Sequence, residues 1–225
     1  MSGKGDNETG IKVKCPKCGK EFRTVPVTSI VPDDGNLRKL LDGSLNKVKC
    51  GACGAEFVLE TPLTYRDKAT SFIVFCLQPP EDGNTEPIEN DVDSMATDAA
   101  MKEGIARPIV RLTFSRPDFI EKIMLHNAGY DDRLVEFAKL QLFRSLDELQ
   151  LSRSRHRLLF DFSKTDEQSL MFIVYDNDEL KPVNAVQVPM EDYRGLEEEL
   201  EKNADLQKEL DAAFPGCYVS ADRLL

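Results

Sequence analysis

The chain has 225 residues, 41% of them apolar and 31% charged, with a formal net charge of -11 at pH 7. A body of this size makes one or two domains and buries its core without disulfide or metal staples. The charge is lopsided: residues 1–80 carry 12 Lys and Arg against 9 Asp and Glu, and residues 81–225 carry 17 against 31. Only the first third is therefore suited to meet a phosphate backbone.

The opening "MSGKGDNETG" is polar, with no apolar region behind it, so we expect a solvated tail and no secretory leader. The longest apolar run, "FIVFCL", has six residues, whereas a bilayer-spanning helix needs about 20. We expect a soluble cytoplasmic protein, in which paired cysteines serve metals or redox chemistry rather than structural disulfides.

Residues 11–78 are expected to form the first unit. It opens on a Cys pair, followed by "EFRTVPVTSI", a strand by its Val, Thr and Ile content. A short helix is predicted to start at residues 34–36, to place Leu37, Leu40 and Leu41 on one face, and to stop at Gly43. A second Cys pair and two strands, in "EFVLETPLTYRD" and "SFIVFCLQ", complete the unit. Residues 79–105 are rich in Pro, Asp, Glu and Asn and poor in large apolar residues, and read as an acidic linker or exposed loop.

Residues 106–225 are expected to form an α+β domain. "PIVRLTF" is a strand. "PDFIEKIMLHNAG" is a helix with Phe119, Ile120, Ile123 and Met124 as its apolar stripe. "DDRLVEFAKLQLFRSL" is a second, with Leu134, Phe137, Ala138, Leu140 and Leu142 inward. "HRLLFDFS", "SLMFIVYD" and "VNAVQVP" are three strands of an antiparallel meander. A long acidic helix with Leu196, Leu200, Leu206 and Leu210 inward follows, and "PGCYVSADRLL" is predicted to close with a short strand. Strands and helices are grouped rather than alternating, so the fold class is α+β and not a doubly wound parallel sheet.

The strongest signal is a repeated decapeptide, "VKCPKCGKEF" at 13–22 and "VKCGACGAEF" at 48–57. Cys15 and Cys18 are two residues apart, as are Cys50 and Cys53, and a Gly follows each pair, permitting positive φ in a turn that aims backbone N–H groups at the sulfurs. Two such knuckles supply four thiolates, the set that structural zinc prefers. Iron uses the same ligands, and residue identity does not separate the two metals. Lys14, Lys17, Lys20, Lys47 and Lys49 flank the ligands and offset the charge of four thiolates. Phe22 and Phe57, at equal distance from the knuckles, each begin a strand that packs the small core. A thioredoxin-like reading fits poorly, because it wants one pair at a helix start and strand-like sequence follows each pair here. The 31-residue spacer between Cys18 and Cys50 exceeds common four-cysteine patterns by the length of the short helix.

A Cys-Pro-x-Cys-Gly knuckle, "LRKLLDGSLN" in the spacer, a second Cys-x-x-Cys-Gly and "TPLTYRD" before an apolar strand together resemble the bacterial and archaeal CpXC family. The resemblance covers residues 13–78 and implies metal binding through Cys15, Cys18, Cys50 and Cys53, in a zinc-ribbon-like unit, and no activity. Gly51 stands where the family motif has Pro, which loosens the second knuckle without removing a ligand.

The remaining candidates have plainer explanations. Cys76 and Cys217 lack a Cys-x-x partner and read as buried apolar side chains. His126 sits near a helix C-terminus, where a partly charged ring meets the dipole favourably, and His156 alternates with arginines. Neither has a nucleophile and orienting acid in view. Arg153, Arg155 and Arg157 share one face if extended and read as a charged strand edge rather than a polyanion site. Asp176 and Asp178 glance at a calcium loop, but Leu180, Lys181 and Gln187 occupy positions that need a ligand, a Gly and a Glu. No phosphate loop, dinucleotide fingerprint, nucleophile elbow or zinc-protease helix occurs. The sequence therefore favours a structural-zinc binding or adaptor protein with a protein partner and no membrane. Behind it stand a nucleic-acid-binding ribbon, and then an enzyme, either a thiol redox protein or a hydrolase within residues 106–225.

Overall fold

The computed structural model describes residues 10–104, 107–144, 152, 154–179 and 181–224. Strands β1 (Ile11–Lys14) and β2 (Glu21–Thr24) form one antiparallel hairpin, and β4 (Lys47–Lys49) and β5 (Glu56–Val58) a second. The predicted strand over 21–30 is two strands, because Pro26 has no N–H to give a ladder; the chain resumes at β3 (Ser29–Ile30). Helix α1 (Gly35–Leu41) lies between the hairpins, capped by Asp34, whose side chain accepts from Asn36 N and Leu37 N. Leu40 is buried, whereas Leu41, expected inward, is 47% exposed.

A mixed sheet of order β3-β6-β7-β8 joins β6 (Leu63–Asp67), β7 (Phe72–Cys76) and β8 (Ile109–Thr113). All five residues of β7 are buried, which accounts for the unbroken apolar run: the strand is covered on both faces. Phe72, Val74 and Cys76 face Phe119 and Ile123 of α3 (Arg116–Ala128). Ile73 and Phe75 face Val92 and Ala96 of α2 (Glu86–Glu103).

Helix α2 occupies most of the segment read as a linker or exposed loop. Its buried residues are Glu89, Val92, Ala96 and Ala100, a charge and three small apolar side chains, so the stripe lacks the bulk that marks a buried helix face. Because β8 pairs with β7 across this segment, the sheet spans the expected boundary between residues 11–78 and 106–225.

The second core is built on α4 (Asp132–Arg144), the antiparallel sheet β11-β10-β9 and two C-terminal helices. Strands β9 (His156–Phe160), β10 (Ser169–Asp176) and β11 (Lys181–Pro189) form the predicted meander. The expected long acidic helix is two, α5 (Met190–Lys202) and α6 (Ala204–Ala213), split at Asn203. Asn203 is extended and its side chain accepts from Asp205 N and Leu206 N, so it caps the second helix instead of continuing the first. The described residues end in a 3-10 turn at Ala221–Leu224 rather than a strand. The molecule is α+β, with the four cysteines of the repeat in its N-terminal region.

Candidate metal centre

The repeated decapeptide folds twice into the same knuckle. In the first, Cys15 N donates to Lys20 O at 2.9 Å and Gly19 N to Cys15 O at 2.9 Å. In the second, Cys50 N donates to Ala55 O at 2.8 Å and Gly54 N to Cys50 O at 2.8 Å. Gly19 and Gly54 both adopt φ 71°, the left-handed region in which any Cβ is strained. The flanking strands repeat too: Val13 faces Phe22 in one hairpin and Val48 faces Phe57 in the other. The two rings meet edge to face at 6.3 Å and hold the hairpins side by side.

The four sulfurs of Cys15, Cys18, Cys50 and Cys53 lie within 4.8 Å of one another, a cluster that can hold a metal ion. The close pairs run across the repeat, Cys15 to Cys53 and Cys18 to Cys50, each at 3.7 Å. Four sulfurs bound tetrahedrally at about 2.3 Å are about 3.8 Å apart, so the spacing suits that geometry. The first cysteine of each knuckle is buried and the second is exposed. Backbone N–H groups of Cys53 and Ala52 point at Cys50 and lower its thiol to about 6. At Cys18 the Lys20 N–H favours the thiolate, but the other three sulfurs, with some loss of solvation, outweigh it and push the thiol up to about 11. Lys47, expected to offset thiolate charge, pairs with Glu56 of its own hairpin at 2.8 Å.

The other sequence candidates lie elsewhere. Cys76 and Cys217 are buried, and burial raises both thiols, Cys217 to about 12. The His126 ring stacks on Phe72 at 3.8 Å, and its Nε2 sits 2.8 Å from Thr70 Oγ1. Burial lowers its pKa, so it is held towards the neutral form, whereas a partly charged ring was expected. His156 Nδ1 accepts from Ser152 N at 2.9 Å. Arg155 pairs with Asp176 and Glu179, and Arg157 with Asp118; Arg153 lies outside the described residues. Asp176 Oδ1 accepts from Asp178 N and Glu179 N, so its oxygens organise a turn.

Sequence reasoning missed a buried charged network between α3 and α4. Lys122 Nζ sits 3.0 Å from Asp132 and 3.1 Å from Glu136. Arg111 of β8 forks onto both Asp132 oxygens at 2.7 Å. Lys139 pairs with Glu136 at 3.0 Å and with Glu121. Glu136 also accepts from Ala221 N at 2.9 Å. Asp132, Glu136 and Lys139 recur at helical spacing on one face, and that was the signal available. Arg111, Lys122 and His126 also line an open cleft of about 1060 Å³.

Among the described residues, no helix is long and apolar enough to cross a membrane. No curated protein and no solved structure matches the chain. A family model described as CpXC protein matches residues 13–139, from the strand before the first knuckle through the last lysine of the buried network. With both knuckles and the whole mixed sheet inside that match, the chain belongs to the CpXC family.

Proposed function

We propose that the chain is a zinc-stabilised binding or adaptor protein in which Cys15, Cys18, Cys50 and Cys53 hold one Zn²⁺ as a closed structural site. The observation that carries this reading is the crosswise 3.7 Å pairing of sulfurs from two matching knuckles. When bound, the ion supplies cross-links between two hairpins that share no sheet; with four protein ligands it has no open position for water or substrate. The residues do the rest: Gly19 and Gly54 shape the turns, and backbone N–H groups favour the thiolate at Cys50.

A protein partner suits the charge better than nucleic acid does, since residues 81–225 are strongly acidic. Among the described residues, the cleft also offers no uncommitted Lys or Arg: Arg107, Arg111, Lys122 and Arg133 each face a carboxylate of this chain. Four cysteines kept as metal ligands suit a reducing compartment such as the cytoplasm.

Metal analysis of protein purified without added metal, with thiols titrated before and after a chelator, tests the reading. One zinc per chain and four thiols released on chelation are expected. One iron per chain would keep the site and change the metal. Absence of metal, with two rapidly oxidising pairs, would overturn the structural site in favour of thiol redox chemistry.

A further inference from the structure

The two half-sites belong to separate two-stranded sheets, so no backbone ladder fixes their spacing. A single side chain spans their roots. Asn46 stands immediately before β4, and its main-chain O accepts from Leu59 N at 2.9 Å, closing the base of the second hairpin. Its side-chain amide pairs both ways with the segment that leaves the first hairpin: Val27 N donates to Oδ1 at 2.8 Å, and Nδ2 donates to Val27 O at 2.8 Å. Nδ2 also reaches Thr61 Oγ1 at 3.2 Å. The amide thus acts as a peptide group inserted between the segment after β2 and the turn before β4.

The backbone of Asn46 is left-handed, with φ 60°. Asn tolerates that region better than most side chains do. Glycine also fits it but has no amide, and Asp has the acceptor but not the donor. A second clamp comes from α3. Arg116, with 14% side-chain exposure, donates from Nη1 to Leu45 O at 3.1 Å and from Nη2 to Leu59 O at 3.2 Å, and so seats the same hairpin base on the body.

We infer that Asn46, supported by Arg116, is a positioning residue for the metal centre: it sets the distance between the two cysteine pairs before the ion arrives and thereby tunes metal affinity without touching the ion. The inference rests on the proposed metal reading. Groups that orient metal ligands from outside the coordination sphere typically change affinity by about 10- to 100-fold. Preorganised half-sites lose less freedom on binding, which is the physical origin of the gain.

The test is titration of the full chain with Co²⁺, read by its thiolate charge-transfer and visible d–d bands, followed by competition against a chelator for Zn²⁺ affinity. Asn46→Gly keeps the left-handed backbone and removes the amide; Asn46→Asp keeps the acceptor alone. Both are expected to retain a one-to-one, four-thiolate spectrum while losing about tenfold or more in affinity, with Asn46→Gly the weaker. If Asn46→Gly fails to fold, Asn46→Asp carries the comparison. Variants that bind as tightly as the parent chain, whatever their unfolding midpoints, would overturn the positioning role and leave the metal reading standing. A parent chain that binds neither ion would overturn both.

Discussion

Cys15 and Cys50 hold corresponding places in their knuckles and both are buried, so replacing either by Ser is expected to weaken zinc binding similarly. Structural zinc sites bind with about 10–16 kcal/mol in all, so one thiolate of four accounts for about 3 kcal/mol, or about a hundredfold. Chelator competition measures it, and a Cys50→Ser chain that binds zinc as tightly as the parent would remove Cys50 from the ligand set. Gly216 illustrates a constraint of another kind. A Cβ there would lie 1.9 Å from Glu89 Oε2, and that carboxylate is already engaged by Thr85, Arg223 and Tyr218 N. Gly216→Ala is therefore expected to cost about 1–3 kcal/mol by overpacking, measured by urea unfolding. No change in the midpoint would show that Glu89 relaxes freely.

Among the elements, α3 and α4 are joined by charges as well as by apolar contacts. Burial alone would raise the Asp132 and Glu136 carboxyls, but Lys122 with Arg111 at the first, and Lys122 with Lys139 at the second, hold both well below the usual range. Groups with depressed folded pKa values stabilise above their unfolded values, about pH 4, and that stability is lost as pH falls through the folded values. Glu121 behaves oppositely: burial outweighs Lys139 and raises it, so its favourable contribution is present at low pH and lost as pH rises through its folded value. The stability contributed by Asp132 and Glu136 should thus fall below about pH 4. Asp132→Asn should cost about 3–5 kcal/mol at neutral pH, because it breaks a buried ion-pair network, and should flatten the acid limb. Urea midpoints across pH measure both effects, and an unchanged acid limb would show that other carboxylates control acid unfolding.

The elements also show how legibility depends on side-chain size and spacing. α1, the meander and the two knuckles were readable because caps, alternation and paired cysteines are local signals. α2 was not, since Ala96 and Ala100 bury little area and its acids disguise the helix as a linker. The inward charges of α3 and α4 were not legible either, because a sequence pattern treats charge as exposed unless a partner is known.

At the scale of the whole molecule, the cores divide the consequences of metal loss. The hairpins rely on the proposed ion, the Phe22–Phe57 contact and the Asn46 and Arg116 clamps. The β9–β11 sheet has its own core with α4, α5 and α6. Chelation is expected to abolish amide-exchange protection over residues 11–24 and 47–58 while preserving it over 156–176, read by hydrogen exchange. Uniform loss of protection would instead mean that the ion stabilises one cooperative unit.

The sequence by itself determined which four cysteines cluster, because a doubled Cys-x-x-Cys-Gly encodes its turn within a few residues. It also determined the α+β class and the antiparallel meander, which follow from local periodicity. Only the tertiary structure decided that β8 extends the N-terminal sheet, that lysines and carboxylates neutralise one another in the interior, and that Asn46 bridges the two half-sites. Those features depend on which distant groups meet, and pairing between groups tens of residues apart leaves no periodic trace in a single chain.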